Sequence, residues 1–163
     1  MSIFVTGGLE AEQRELARQR FTDAESDRLK AYAVWEHRAT PVFEEMHVAE
    51  GFWYVMTPYS KYPRGMPAAY NDAVRVAASF TIIGLRAFST IVHSHPQALV
   101  ARLPGDAKFW WDHNEVFMKA SCGAVVVEME GWKESEGIAL EIDWYAQRGK
   151  RVLYLPCPPP SAL

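Results

Sequence analysis

Cysteine is scarce in this chain of 163 residues, which contains only Cys122 and Cys157. Two cysteines without a C-x-x-C spacing are too few for a disulfide framework and do not form the usual zinc or dithiol motif. Basic charge is not in excess either, because 17 Lys and Arg residues stand against 20 Asp and Glu residues, a formal net charge of -3. Since proteins that bind nucleic-acid polymers carry a basic surface, the composition disfavours a polymer partner.

Long apolar runs are also missing. No run approaches the roughly 20 residues that span a bilayer, and the N-terminus has no basic segment followed by an apolar core. These absences predict a cytoplasmic protein that does not associate with membranes. The composition, with 49% hydrophobic and 23% charged residues, is that of a globular chain able to bury one core.

The first fifty residues differ from the remainder. Charged and helix-favouring residues dominate from residue 9 to about residue 45, and Thr40-Pro41 indicates a break. We therefore expect one long helix or two shorter ones packed against the main domain. The sequence predicts a helical extension over residues 1–50 and an α/β domain over residues 51–163.

From Gly51 onward, short apolar runs alternate with helical stretches. The runs predict strands at residues 52–57, 85–92, 124–129 and 151–155, with helices at 68–83, 106–121 and 135–148 between them. Strands and helices that alternate across short loops imply right-handed parallel crossovers. The expected fold is α/β, a doubly wound (flavodoxin- or Rossmann-like) parallel sheet of four to five strands.

Ligands of an open parallel sheet bind outside the carboxyl ends of its strands. The loops predicted there hold hydroxyl, aromatic, basic and glycine residues, and the second is the segment His93-Ser94-His95-Pro96. The candidate ligand-binding residues are Tyr59, Ser60, Lys61, Arg64, Gly65, His95, Gly131, Trp132, Ser135 and Gly137.

The third loop leads into a helix that carries Glu141. Ser135 and Gly137 lie at the helix N-terminus, where free backbone N–H groups favour an anion. Glu141 borders the face that we expect to pack on the sheet, formed by Ile138, Ile142, Tyr145 and Ala146. A carboxylate near a helix start is expected to remain ionised, and in a shielded cleft it can attack an electrophilic sugar carbon.

The run Gly131-Trp132-x-x-Ser135-x-Gly137-x-x-x-Glu141, followed by Ala146 and Gly149-Lys150, resembles the signature of the nucleoside 2-deoxyribosyltransferase superfamily. Within it, the chain is most similar to a branch of small bacterial and phage-type proteins whose first strand ends in a Pro-Tyr-Ser loop, here Pro58-Tyr59-Ser60. The resemblance covers about residues 52–155.

The resemblance implies that Glu141 attacks the anomeric carbon of a ribose or deoxyribose and expels the base, after which water or a second base resolves the covalent intermediate. The chain is also similar to nucleoside 5′-monophosphate N-glycosidases, which carry a serine six residues before the nucleophile, here Ser135. With Ser60, Lys61 and Arg64 this implies a 5′-phosphorylated substrate. No cofactor is implied.

Relatives carry an aspartate on the helix before the third strand that assists departure of the base. The matching residue is Asn114, with Asp112 two positions earlier. An asparagine can hydrogen-bond a base but cannot donate a proton as an acid. A non-catalytic module that binds a nucleotide or nucleotide-sugar is therefore the alternative, and a metal-dependent phosphohydrolase using His93, His95 and Asp112 is a third, weaker hypothesis.

The helices predicted at residues 9–45 and 106–121 carry more apolar surface than four strands can cover. We expect a homo-oligomer, a dimer or larger.

Overall fold

The computed structural model describes residues 23–158, without the side chains of residues 23–26, 28 and 29. The helix predicted for residues 9–22 lies outside the described residues. The elements follow the chain as α1 (Asp23–Val48), β1 (Trp53–Met56), α2 (Met66–Ile82), β2 (Ala87–Ser89), α3 (Thr90–Ala101), α4 (Ala107–Ala120), β3 (Gly123–Glu128), α5 (Glu136–Gln147) and β4 (Arg151–Pro156).

The four strands form one parallel sheet in the order β2-β1-β3-β4. At the centre, β1 pairs with β3 from Trp53 opposite Gly123 to Met56 opposite Val126. The chain moves outward in one direction from β1 to β2 and in the other from β3 to β4, so the order reverses between the central strands. This arrangement confirms the predicted doubly wound sheet and places a topological switch point at the ends of β1 and β3.

Both faces of the central strands are buried. Trp53 and Val55 face α1 and α2, whereas Tyr54 and Met56 face α4 and α5. Each of these side chains is no more than 2% exposed. A strand covered on both faces requires apolar residues at every position, which is why β1 appears in the sequence as a continuous apolar run.

Helix α1 continues through Pro41, so the predicted break at Thr40-Pro41 is wrong. The proline removes one backbone donor, but Ala39 and Met46 are buried against the sheet on the same face of the helix. The Trp35 indole also donates a hydrogen bond to the carbonyl of Pro156 at 2.8 Å. Tertiary packing therefore offsets the local cost of the proline.

Strand β2 is shorter than predicted and ends at Ser89. The Ser89 hydroxyl accepts a hydrogen bond from the backbone N–H of Val92 at 3.3 Å and caps α3. The expected loop at residues 93–96 is therefore wrong, because these residues lie within α3. Two β-branched residues, Ile91 and Val92, suggested a strand, but the serine N-cap before them begins a helix.

The outer surface of α3 and α4 retains exposed apolar side chains, including Leu99, Phe109 and Val116. Exposed apolar area of this kind is common at interfaces, and the homo-oligomer stays a prediction. Within residues 23–158, no helix combines the length and the apolar character needed to cross a membrane.

Candidate functional site

A pocket opens at the switch point, beyond the carboxyl ends of β1 and β3. Its cavity volume is about 90 Å³, which corresponds to roughly six to nine water-sized positions. The enclosed part therefore suits a group such as a sugar ring. Its polar lining comprises Thr57, Tyr59, Ser60, Thr90, Ser94, His95, Asp106, Asn114, Ser135 and Glu141.

Three helices form the walls, and each presents residues at helical spacing. Helix α3 contributes Thr90, Ser94 and Ala98, which lie four residues apart, and α4 contributes Trp110 and Asn114. Helix α5 adds Ile138 and Glu141. The N-termini of all three helices open toward the carboxyl edge of the sheet, so their positive dipole ends meet at the pocket.

Glu141 lines the pocket at the carboxyl edge of the sheet, where the sequence analysis places it. The hydroxyl of Tyr54, from the centre of β1, donates a hydrogen bond to Glu141 Oε1 at 2.5 Å. Burial raises the pKa of Glu141 to about 7, and the hydrogen bond from Tyr54 opposes that rise. The expectation of a fully ionised carboxylate is therefore wrong: near neutral pH the group is divided between its two protonation states.

Tyr54 is positioned to remain a hydrogen-bond donor. Burial and then the charge of Glu141 raise the pKa of its phenol well above the ordinary value. The Thr90 hydroxyl lies beside the same phenol. Glu141 thus contacts a hydrogen-bond donor on the sheet that keeps its proton, and this contact fixes one carboxyl oxygen of a side chain that lines the pocket.

Ser135 caps the N-terminus of α5 and is buried. Its hydroxyl oxygen accepts a hydrogen bond from the Ile138 N–H at 3.4 Å, so its own proton is available for a ligand. Gly137, in the first turn, also lines the pocket. The buried face of α5 differs from the predicted one in two residues. Ala146, which was predicted to pack on the sheet, is exposed, and Trp144, which was not, is buried.

Two buried polar atoms in the pocket wall have no hydrogen-bond partner within the described residues: Thr57 Oγ1 and Asn114 Oδ1. Thr57 is only 4% exposed. If the amide oxygen and nitrogen of Asn114 were exchanged, the nitrogen would be the buried atom without a partner. Because buried polar groups are rarely left unpaired, both atoms are suited to hydrogen-bond a molecule in the cavity, either an ordered water or a ligand.

Tyr59 and His95 form a second polar pair in the pocket. The Tyr59 hydroxyl lies 2.6 Å from His95 Nδ1. The His95 ring stacks on Tyr70 with 4.3 Å between centroids. His95 lies on α3 and not in the predicted loop, but its side chain lines the pocket.

The two predicted phosphate-binding cations lie away from the pocket, as does Gly65. Arg64 is exposed, donates a hydrogen bond to the Tyr62 hydroxyl at 2.7 Å and forms an ion pair with the buried carboxylate of Asp72. Lys61 is exposed as well. Within residues 23–158, no lysine or arginine lines the cavity.

Gly131 and Trp132 shape the site indirectly. Gly131 has a φ of +84°, and a Cβ there would lie 2.7 Å from the carbonyl oxygen of Lys61. The glycine therefore permits the loop after β3 to pack against the loop after β1. Trp132 packs against Tyr154, with 5.8 Å between ring centroids. Neither residue lines the cavity, and Asp112 is exposed on α4 outside it.

A metal site has no ligand set in the part of the chain described. No three His, Cys, Asp or Glu side chains within residues 23–158 are grouped to hold an ion. His93 and His95 face different neighbours, since His93 stacks on His113 at 5.3 Å and His95 contacts Tyr59 and Tyr70. The phosphohydrolase hypothesis therefore lacks its proposed ligands here.

Residues 51–156 match the family described as "Domain of unknown function (DUF1937)". The chain belongs to the DUF1937 family. No curated protein matches the chain. The matched segment of the DUF1937 chain contains all four strands and every residue that lines the pocket.

Sequence reasoning on this DUF1937 chain missed Tyr54, Thr57 and Thr90. Tyr54 is a polar-tipped residue inside an apolar strand, and a buried tyrosine hydroxyl usually has a partner. Thr57 is the first hydroxyl residue after β1, at the strand end where ligands bind. Thr90 was hidden by the incorrect strand prediction for residues 85–92.

Proposed function

We propose that this chain cleaves or transfers the N-glycosidic bond of a nucleoside 5′-monophosphate, with Glu141 as the nucleophile. The observation that carries the proposal is the carboxyl group of Glu141 in a pocket at the switch point, hydrogen-bonded to Tyr54 at 2.5 Å. A positioned carboxylate beside bound sugar is the arrangement that a retaining glycosyl mechanism needs.

In the first step, the ionised form of Glu141 attacks the anomeric carbon with the oxygen that Tyr54 does not hold. A bond forms between that oxygen and C1′, the bond from C1′ to the base breaks, and its electron pair leaves on the base nitrogen. Water or a second base then attacks C1′ and releases Glu141. With a pKa of about 7, a useful fraction of Glu141 is ionised at neutral pH.

The remaining polar groups of the pocket suit the sugar and its phosphate. Thr57 and Asn114 supply unpaired hydrogen-bonding atoms for sugar hydroxyls. Ser135 and the first N–H groups of α5 offer donors to a phosphate at a helix N-terminus. Since no lysine or arginine within residues 23–158 lines the cavity, phosphate recognition depends on these neutral donors and on the helix dipole.

The test is incubation with a panel of ribo- and deoxyribonucleoside 5′-monophosphates and chromatographic detection of free base. Glu141→Gln preserves shape but cannot act as a nucleophile, so turnover should fall by about three or more orders of magnitude while binding persists. Glu136→Gln is the matched control, because Glu136 is exposed at the start of the same helix. Release of base at the wild-type rate by Glu141→Gln would refute the nucleophile.

The phosphate is tested by comparing each monophosphate with its free nucleoside in calorimetry. Ser135→Ala should reduce the preference for the monophosphate, because a charge-assisted hydrogen bond of about 1.5–3 kcal/mol is lost. Equal affinity of the wild type for nucleoside and monophosphate would show that the phosphate is not recognised. The role of Glu141 as the nucleophile would not be affected.

A non-catalytic nucleotide-binding module is the second candidate. Asn114 favours it, because an asparagine cannot protonate a departing base and the alternative acid, Asp112, lies outside the pocket. Tight binding of a nucleotide without release of base from any substrate would establish this candidate instead.

We also propose that the protein acts in the cytoplasm as a homo-oligomer, without a nucleic-acid polymer or a membrane as partner. The exposed apolar side chains of Phe109 and Val116 support self-association. Light scattering at micromolar concentration should detect a mass of at least twice 18.5 kDa, and a monomer alone would refute this.

A further inference from the structure

The pocket contains one pair of side chains that the nucleophilic step does not use, Tyr59 and His95. His95 is only 5% exposed, yet it lines the pocket. Its ring is held by the Tyr59 hydroxyl at 2.6 Å from Nδ1 and by the face of Tyr70. A buried histidine held from two directions has a defined orientation, as a group that acts on a ligand requires.

The protonation state of the pair follows from its surroundings. Burial lowers the pKa of His95, which favours the neutral ring, and burial raises the pKa of Tyr59, which retains its proton. A phenol that donates to Nδ1 leaves the ring proton on Nε2. Among the described residues, Nε2 has no hydrogen-bond partner, so its N–H is available to a molecule in the pocket.

The position of His95 suits contact with a departing base. His95 and Glu141 line the same cavity, and Thr90, on the same helix as His95, lies beside the Tyr54 hydroxyl that holds Glu141. A nucleotide whose C1′ lies beside Glu141 would therefore place its base in the cavity that His95 lines.

We propose that His95, together with Tyr59, protonates the departing nucleobase, the task for which Asn114 has no proton. This inference rests on the proposed N-glycosidic function. As the bond from C1′ to the base breaks, the Nε2 proton moves to a ring nitrogen of the base and the Tyr59 proton moves to Nδ1. Tyr59 is then a phenolate, and it carries the negative charge that Glu141 loses when its carboxylate becomes an ester at C1′. When water attacks C1′, its proton returns through the ring to Tyr59, and Glu141 leaves as a carboxylate.

The test uses two substrates that differ in one methyl group: guanosine 5′-monophosphate and 7-methylguanosine 5′-monophosphate, each in the ribose and 2′-deoxyribose series. The methylated base is cationic and leaves as a neutral species, so it needs no proton. His95→Phe keeps a ring to stack on Tyr70 but removes both nitrogens. His93→Phe is the matched control, since His93 lies on the same helix, is exposed and does not line the pocket.

We expect His95→Phe to lower kcat on the unmethylated substrate by about 10²- to 10⁴-fold and on the methylated one by less than about 10-fold. His93→Phe should leave both rates unchanged. Tyr59→Phe should show the same dependence on the leaving group with a smaller loss, and it decides the question if His95→Phe does not fold. Equal losses on both substrates would overturn the role of His95 while leaving the proposed function intact.

Failure of the proposed function has a different signature. Glu141→Gln should abolish release of base from both substrates, because nucleophilic attack is needed whatever the leaving group. If the wild type releases no base from either substrate in either sugar series, the glycosidic function and the role of His95 are both overturned.

Discussion

Replacement of Glu141 by glutamine is expected to stabilise the folded protein at alkaline pH while it abolishes turnover. Burial raises the pKa of this carboxyl group from 4.5 to about 7 in the folded chain. The folded state therefore holds a proton that the unfolded state has already released between these two values. The associated stability is fully present below pH 4.5 and is lost as the pH rises through about 7.

The magnitude follows from the difference between the two pKa values. A difference of about 2.5 corresponds to about 3 kcal/mol in the free energy of unfolding. Between pH 5 and pH 8, titration of this one group should lower the stability of the wild type by about 2.5 kcal/mol. Glutamine does not titrate and can still accept the hydrogen bond from Tyr54, so the variant should escape this loss.

Urea unfolding of the wild type and of Glu141→Gln at pH 5, 6, 7 and 8 measures the effect. The stability of the variant relative to the wild type should rise with pH by about 2 to 3 kcal/mol. Glu136→Gln, an exposed position in the first turn of α5, should follow the wild type. A difference between wild type and Glu141→Gln that does not change with pH would show that the carboxyl group is not held in a water-poor site.

Three further substitutions test other contacts. Tyr54→Phe removes the hydrogen bond that lowers the pKa of Glu141, so the acidic limb of the pH–rate profile should move to higher pH; an unmoved limb would contradict the contact. Gly131→Ala places a Cβ against the Lys61 carbonyl at a positive φ, and thermal unfolding should show a loss of about 1–3 kcal/mol, whereas no loss would contradict the close approach. Lys150→Met removes an ammonium that donates to three carbonyls at the end of α4. Urea unfolding should show a loss of about 1.5–3 kcal/mol in the free energy of unfolding, and an unchanged midpoint would contradict this.

The carboxyl edge of the sheet was predictable because local patterns and chain topology agree there. Ser135 combines a helix N-cap with a place after a buried strand, and Glu141 follows it by six residues on the same helix. Both therefore reach the pocket. Lys61 and Arg64 were predicted on the same argument of position, but the sequence does not reveal that Asp72, in the second turn of α2, pairs with Arg64.

The pocket residues on α3 show the opposite case, because there the local pattern and the observed structure disagree. His95 was assigned to a loop because Ile91 and Val92 favour strand locally, whereas the Ser89 cap begins a helix there. On this helix, Thr90, Ser94 and His95 line the cavity. The sequence therefore identified His95 as a site residue but with the wrong local structure, and it missed Thr90.

The doubly wound α/β fold, the strand at residues 53–56 and the helix that carries Glu141 are determined by the sequence itself, through continuous apolar runs, helical spacing and capping residues near one another in the chain. The protonation state of Glu141 was decided by tertiary structure alone. Its pKa depends on the loss of water around the carboxyl group and on a tyrosine 87 residues away. Desolvation and long-range hydrogen bonds arise only when distant segments pack together, so no local pattern encodes them.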